Sequence, residues 1–354
     1  MERTDMVTGF DGRLLDDALV RAVRAPSIHN SQPWRWQVGP QGVDLYTDAT
    51  RRLPRTDPDG RDQVMSCGAA LHHLLVALAD AGQGARVRRL PDLARPHHLA
   101  TVEPALHVDV DVDAGLASSI DRRRTDRRPF RAWPVPPELS GELAEIADRY
   151  GVGHAMVTDP RMRRQLFRSI EEAAHTQDAD PRYVAELAAW SGRAPGSPDG
   201  VPADRAPTLG DVPGQMPMRA FPGQPERRDR GTPAAGAGRV SGPGLVPPSG
   251  AAGADRESGE PETAVLLLLS TATDTPLQWL RVGEVTSAVL LTATRLGLAG
   301  SPLTQPLEVG GIRTFVRDHV TGGAHPQMLL RLGWPSGPTL PPTPRRPLKE
   351  VVTR

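Results

Sequence analysis

The sequence of 354 residues predicts an α+β fold, because two kinds of periodicity occur in separate segments. Apolar side chains recur at helical spacing in some segments, as with Leu14, Leu15 and Leu19 near the start of the chain. In others they alternate as in a strand: WRWQV and VDLYTD, separated by a Gly-containing turn, are typical of a β-hairpin. A fold with both helices and paired strands follows from these patterns.

The remaining elements follow in order along the chain. Helices are predicted over 12–25, 61–81, 136–150, 161–179, 181–191, 276–298 and 312–320. Strands are predicted over 34–38, 43–48, 86–90, 99–104, 105–112, 153–158, 263–271 and 326–334. The segment SPLTQPLEV, 301–309, is predicted to be a loop, and the tail 341–352 to be irregular.

Residues 192–262 differ in composition from the rest of the chain. Gly, Pro, Ala and Ser dominate there, which predicts a lid or a disordered insert, with 223–261 disordered. A weak echo links 73–90 to 289–307, each an apolar helix that runs into a Gly-rich turn. The echo suggests two similar halves, about 1–120 and 121–354, the second containing the insert.

The charge balance argues against several classes of partner. Lys and Arg together number 42, as do Asp and Glu, so no global field attracts nucleic acid or a membrane surface. A single cysteine, Cys67, excludes an internal disulfide, and the adjacent histidine pairs diverge, so no metal site is expected. The first residues lack the apolar run of a signal peptide, and we expect a cytoplasmic protein.

The segment APSIHNSQPW, 25–34, is the most informative motif. Two prolines bracket a polar loop directly after a helix, and Asn30 and Gln32 alternate so that their amides can point the same way. From the residues alone, a capped turn between helix and hairpin is an equally good explanation. A second motif, RRRTDRRPF at 122–130, is either a solvated basic turn or a set of guanidinium groups that converge with Thr125 on a phosphate.

The first motif resembles the P-S-x-x-N-x-Q-P-W signature of the nitroreductase-like flavoproteins, and the second resembles their R-R-S-x-R-x-F element, with Thr in place of Ser. The resemblance implies the nitroreductase fold, with mixed, mainly antiparallel sheets flanked by helices, and FMN as cofactor. By the same resemblance, 302–305 would approach the flavin and 345–346 its phosphate. The implied cofactor-binding residues are Pro26, Ser27, Ile28, His29, Asn30, Gln32, Arg123, Arg124, Thr125, Arg127, Pro302, Leu303, Thr304, Gln305, Arg345 and Arg346.

The order of the two motifs resembles one branch in particular, the Acg-like actinobacterial nitroreductase homologues. In ordinary members the arginine element precedes the Pro-Ser loop, whereas here it follows about ninety residues later. The branch looks like two nitroreductase protomers fused into one chain with a lid over the flavin, so one chain could hold one site as a monomer or a homodimer.

Three functions are compatible with these residues. The first is an FMN-dependent oxidoreductase that takes a hydride from NAD(P)H and passes it to a small-molecule substrate, with no catalytic side chain required. The second is a protein that sequesters FMN under a closed lid with little or no turnover. The third is an interaction module without cofactor, in which the arginine cluster would be exposed.

Overall fold

The computed structural model describes residues 9–106, 113–194, 196–203, 216–219, 221 and 263–354. Its helices are α1 Gly12–Ala22, α2 Arg61–Asp80, α3 Ala117–Arg122, α4 Pro137–Arg149, α5 Pro160–Asp178, α6 Pro181–Trp190, α7 Pro276–Arg295, α8 Gln305–Glu308, α9 Gly310–His319 and α10 Leu348–Val351. Its strands are β1 Trp34–Gly39, β2 Gly42–Thr47, β3 Gly84–Arg89, β4 His98–Ala105, β5 Gly153–Met156, β6 Ser191–Arg193, β7 Val201–Pro202, β8 Val265–Thr271, β9 Ala299–Leu303, β10 His325–Gly333 and β11 Val352–Thr353.

Most predicted elements are confirmed to within a few residues, with two corrections. The segment 301–309 is not a loop: β9 pairs antiparallel with β10, and α8 follows it. The tail is not wholly irregular, because α10 and β11 form there and β11 pairs parallel with β1. Both corrections involve pairing with distant strands, which local composition does not report. The predicted strand over 105–112 falls largely on residues outside the described ranges, as does the predicted disorder of 223–261.

The described strands form two larger sheets and one small pair. The first sheet has the order β11-β1-β2-β4-β3 and the second the order β5-β8-β10-β9. Neighbours within them are antiparallel except at the β1–β11 edge. The predicted α+β class with mixed, mainly antiparallel sheets is therefore confirmed. None of the helices in the described ranges combines the length and the apolar character needed to span a bilayer.

The two sheets share one topology. We call residues 34–105 the first unit, with β1, β2, α2, β3 and β4, and residues 153–333 the second unit, with β5, β8, α7, β9 and β10. The order β1-β2-β4-β3 in the first sheet matches β5-β8-β10-β9 in the second. A hairpin joins β1 to β2, whereas residues 157–264, which include α5 and α6, separate β5 from β8. This equivalence supports a proposed division into two fused halves near residue 120.

The central helices α2 and α7 cross where each has a glycine. Gly68 and Gly283 are both eighth in their helices, and an added Cβ would lie 2.1 Å from the Leu280 carbonyl oxygen and 2.0 Å from the Met65 carbonyl oxygen, respectively. Met65 and Leu280 are in turn both fifth. The contact is thus reciprocal, as at the interface of a two-fold dimer, and only glycine permits the backbones to approach so closely.

Candidate functional site

The loop between α1 and β1 has an unusual backbone. His29, Asn30 and Gln32 have φ values of 46°, 54° and 49°, in the left-handed region that side chains disfavour. Hydrogen bonds hold this conformation: the Gln32 amide donates to Ser27 Oγ at 3.0 Å, and the Ile28 amide donates to Ser66 Oγ on α2 at 3.1 Å. Strain of this kind persists only where the surroundings determine it, and it concentrates at functional sites.

The two amide side chains of this loop connect it to other segments. Gln32 Nε2 donates to the Pro198 carbonyl at 2.7 Å, and its Oε1 accepts from the Arg346 backbone amide at 2.8 Å. Asn30 Nδ2 donates to the Gly200 carbonyl at 3.1 Å. The loop is therefore the meeting point of three parts of the chain that are far apart in sequence.

The arginine segment lies against the edge of the second sheet. Thr125 forms a β-bridge with Gly300, and the Asp126 amide donates to the Gly300 carbonyl at 3.0 Å. This pairing brings the segment beside the end of β9. Arg123 is buried, and its Nε and Nη1 have no hydrogen-bond partner among the described residues. Burial, with repulsion from Arg124, lowers the pKa of Arg123 to about 10.

Arg345 joins this cluster from the other end of the chain. Its guanidinium donates to the carbonyls of Val23, Arg24 and Ala25, each at 3.1 Å. Burial and repulsion from Arg123 and other guanidinium groups lower its pKa to about 9. A bound anion would relieve this repulsion and satisfy the unpaired donors of Arg123, so the cluster suits a phosphate group.

Two cavities meet at these segments. The inner cavity has about 830 Å³ of space between atoms, part of it open to solvent, and is lined by Pro26, Ser27, Ile28, His29, Asp62, Met65, Ser66, Ala69, Thr125, Arg127, Met218, Arg219, Phe221, Gly283, Thr286, Pro302, Leu303, Thr304, Gln305 and Met328. The arginine cavity is lined by Val20, Val23, Arg24, Pro26, Ser27, Asn30, Ile120, Arg123, Arg124, Thr125, Arg127, residues 200–202 and 340–346, and Leu348. They share four lining residues, Pro26, Ser27, Thr125 and Arg127, so they adjoin, and we call the two cavities together the cleft.

Helices α2 and α7 supply one wall of the inner cavity. Near the crossing, Met65 and Ala69 of α2 and Gly283 of α7 line the inner cavity. None of the three has a branched side chain. Thr286 also faces it; this residue is 4% exposed, and its hydroxyl has no hydrogen-bond partner among the described residues. A buried unpaired hydroxyl on a cavity wall indicates that a ligand completes its hydrogen bonding.

Residues 216–219 and 221 contribute another wall of the inner cavity. Arg219 is buried there, forms an ion pair with Glu308 at 2.5 Å, and donates to His29 Nε2 at 3.0 Å. Phe221 meets the His29 ring edge-on, with the centroids 5.9 Å apart. Burial first, and the nearby Arg219 and Arg127 charges second, hold the pKa of His29 well below its usual value, so His29 is neutral.

The structure brings all but one of the predicted site residues to the cleft. The exception is Gln32, which is buried and lines neither cavity, so its position favours a role in holding the loop. Sequence reasoning missed Arg24, Asp62, Arg219 and the cavity face of α2 and α7. The paired glycines, each eighth in a helix of 20 residues, were the available signal for the α2–α7 wall.

Comparison with known proteins identifies near full-length relatives, although no family model matches the chain. A Mycobacterium tuberculosis (strain ATCC 25618 / H37Rv) protein named "Putative NAD(P)H nitroreductase" is 43% identical over 345 residues, covering 97% of this chain and 92% of the relative. A second protein of that strain, named "Putative NAD(P)H nitroreductase acg", is 34% identical over 344 residues, covering 96% and 95%.

Solved structures of low identity are also similar. A nitroreductase with bound FMN from Desulfitobacterium hafniense DCB-2 has a TM-score of 0.37 and 14% identity, covering 68% of this chain and 97% of its own. An FMN- and NADPH-dependent nitroreductase from "sphigopyxis sp. strain HMH" has a TM-score of 0.36 and 19% identity, covering 68% and 98%.

Proposed function

Because the chain belongs to the nitroreductase family and, within it, to the Acg-like branch, we propose that it binds FMN in the cleft and works as an NAD(P)H-dependent oxidoreductase. The observation that supports this most is that the two cavities of the cleft adjoin. The inner cavity, between α2, α7 and the end of β9, shares Pro26, Ser27, Thr125 and Arg127 with the arginine cavity, whose lining includes Arg24, Arg123, Arg124, Arg345 and Arg346. A flavin mononucleotide has the matching form, a planar ring at one end and a dianionic phosphate at the other.

The residues of the cleft divide into two groups in this proposal. At the phosphate end, Arg123, Arg124, Thr125, Arg127 and Arg345 would hold the phosphate, with Asn30 and Arg346 beside them. At the ring end, 26–29, 302–305 and the Thr286 hydroxyl would surround the flavin. When bound, FMN supplies the two-electron chemistry. The protein binds and orients it and excludes water, and its substrate would be a small molecule reduced in the inner cavity.

A second candidate function is sequestration of FMN, which residues 216–219 and 221 favour. Arg219 reaches into the inner cavity wall and is held there by Glu308 and His29. If these contacts persist when FMN is bound, a nicotinamide ring would have no access to the flavin, and the protein would store the cofactor. The oxidoreductase proposal requires that this segment move aside.

One preparation tests both candidates. The purified protein is expected to show a flavin absorbance spectrum, and rapid bleaching on anaerobic addition of NADPH or NADH would support the oxidoreductase. A spectrum that persists under the same conditions would support sequestration. Colourless protein that binds no added FMN would contradict both and support the interaction module.

A variant pair tests the phosphate end of the cleft. Arg124→Ala with Arg127→Ala should abolish FMN retention, because both residues line the arginine cavity and Arg127 lines the inner cavity as well. Arg122→Ala is the matched control, since Arg122 is exposed, lines neither cavity, and donates to Ser118 and Ser119 of its own helix. Full FMN occupancy in the double variant would show that the phosphate binds elsewhere.

Two further expectations concern the oligomeric state of the protein and its location in the cell. The loop 26–34 and the arginine segment of the same chain both reach the cleft, so we expect a monomer to bind FMN, whether or not two chains associate. We place the activity in the cytoplasm, where reduced nicotinamide nucleotides are available. Flavin content measured across a size-exclusion profile tests the first point: a flavin signal confined to dimers would contradict it.

A further inference from the structure

Among the described residues, the inner cavity has one carboxyl group in its wall, that of Asp62. This residue is second in α2, is 2% exposed, and lies on the same helix face as Met65, Ser66 and Ala69. We propose that Asp62 is the proton-holding residue of the cavity and donates the proton that an acceptor takes up together with a hydride. The inference rests on the proposed oxidoreductase function, because the hydride must come from reduced flavin.

The charges around Asp62 do not balance. Glu308 is committed to Arg219 at 2.5 Å, and Asp57 accepts from the backbone amides of Asp62 and Gln63 at 3.1 and 2.8 Å. Asp62 itself pairs with Arg61 at 2.9 Å. Among the groups that act most strongly on Asp62, three carboxyl groups, of Asp57, Asp62 and Glu308, face two guanidinium groups, of Arg61 and Arg219, so a proton on one carboxyl group removes the surplus negative charge among them.

Asp62 is the member of this group best placed to hold that proton. Burial raises its pKa to about 7, with Asp57 and Glu308 adding to the shift and Arg61 opposing it. The Thr304 hydroxyl, from the turn before α8, and the Arg219 guanidinium also face it. Neutral His29 and charged Arg127 line the same cavity among the described residues. An acid whose pKa lies near the working pH transfers protons most effectively.

The proposed step is balanced. The acceptor would take up a hydride, which bound FMN in its reduced form would supply, and a proton from the Asp62 carboxyl. The O–H bond of Asp62 breaks, a new bond to hydrogen forms on the acceptor, and the carboxylate that remains is stabilised by Arg61 at 2.9 Å. After product release, a proton from bulk solvent would restore the neutral carboxyl group of Asp62.

The first test measures cofactor affinity, independently of turnover. FMN binding would exclude water from Asp62 and favour its neutral form, so protein and FMN together would take up a proton above pH 7. We expect the FMN dissociation constant, measured by flavin fluorescence, to rise up to tenfold per pH unit between pH 7 and 8.5 relative to Asp62→Asn. Asparagine is neutral and similar in shape, so the variant should keep its affinity across this range.

The outcomes separate the inference from the function on which it rests. If the ratio of dissociation constants for the two proteins stays constant with pH, Asp62 does not hold the proton, although FMN binding stands. If neither protein binds FMN at any pH, the proposed function fails as well. A merely structural role for Asp62 would change the affinity at every pH by the same factor.

A second variant keeps the test available if Asp62→Asn does not fold. Asp57→Asn removes a neighbouring negative charge without altering the cavity wall, which Asp57 does not line. The pKa of Asp62 should then fall, and the break in the affinity profile should move to lower pH. In stopped-flow reoxidation of the reduced holoprotein by a quinone, the break in rate should move in the same direction. An unchanged break in both profiles would overturn the inference.

Discussion

The two units place equivalent helices side by side but use the adjoining space differently. In the first unit, Ala69 is ninth in α2 and lines the inner cavity. In the second unit the ninth residue of α7 is Glu284, fully buried and held by Arg89, the last residue of β3, through bonds of 2.8 and 2.6 Å. Leu303, the last residue of the equivalent strand β9, lines the cavity instead.

The connections that precede the two sheets differ in the same way. Residues 23–33 join α1 to β1 and contain the strained loop of the cleft, whereas residues 150–152 join α4 to β5. Tyr150 lies edge-on to His72, with ring centroids 6.1 Å apart. The two units thus differ in the space beside equivalent residues. The space beside Ala69 is part of the cleft, which we call the open side. The space beside Glu284 holds the ion pair with Arg89, and we call it the closed side. We expect one FMN per chain.

The largest effect should follow from breaking the crossing that both units share. Gly283→Val would place a side chain about 2 Å from the Met65 carbonyl, so α2 and α7 would have to separate and both sheets would lose their common support. We expect no folded, flavin-retaining protein, as judged by circular dichroism and absorbance. Gly68→Val should fail equally. Gly141→Ala, at an exposed position of α4 with nothing within 4 Å of the added Cβ, should be stable or slightly stabilised.

Breaking the Arg89–Glu284 ion pair of the closed side should lower the stability of the fold while leaving the cleft intact. Glu284→Ala leaves Arg89 largely buried without its carboxylate partner, and we expect the free energy of unfolding in urea to fall by about 3 kcal/mol. Glu103→Ala is the control, because its partner Arg88 is mostly exposed and such pairs contribute less than about 1 kcal/mol. Loss of FMN from Glu284→Ala at native conditions would show that the two positions are not independent.

On the open side, FMN affinity should depend strongly on the buried guanidinium group of Arg123 at the proposed phosphate end of the cleft. Arg123→Ala removes two donors, Nε and Nη1, that have no protein partner among the described residues, and one bond of 3.4 Å from Nη2 to the Arg24 carbonyl. FMN affinity should therefore fall about 100-fold with little change in folding stability. Equilibrium dialysis measures this. An unchanged dissociation constant would assign the phosphate to other residues of the cluster.

The carboxyl group of Asp62, on the open side, should make the free energy of unfolding depend on pH. The pKa of Asp62 is raised from 3.8 to about 7 in the folded chain, so the folded state binds the proton more tightly than the unfolded state. Stability should therefore fall as pH rises from about 4 to 7. The urea midpoint of Asp62→Asn should depend less on pH over this window, and an equally steep dependence would refute the assignment.

The smallest effect should come from the Thr286 hydroxyl. Thr286 is eleventh in α7 and lines the inner cavity, whereas the eleventh residue of α2 is the apolar Leu71. Thr286→Val therefore replaces a polar side chain on the open side by an apolar one, as at the equivalent position in α2. Loss of one neutral hydrogen bond should weaken FMN binding about fivefold and leave folding stability unchanged or slightly higher. Equal affinity in wild type and variant would place the flavin away from this hydroxyl.

More residues of the open side than of the closed side could be predicted from the sequence, for a physical reason. Residues 26–34 and 122–130 have their functional groups close together in sequence, so a local motif reports them. Glu284 and Arg89 are separated by 195 positions and sit in ordinary amphipathic elements, so only the folded chain reveals that they meet. Asp62 and Arg219 were missed for the same reason, and β9 because its pairing with β10 outweighs its Gly and Pro content.

The β1–β11 edge has a kinetic consequence. Trp36 pairs with Val352, so this edge closes a loop of more than about 300 residues, at an entropic cost on the order of 5 kcal/mol. The Arg346 amide, which bonds to Gln32, lies just before that edge. Such remote pairings tend to form after local ones. In refolding experiments, helical signal should therefore return before the ability to quench flavin fluorescence, and the interval between them would report the docking of the tail.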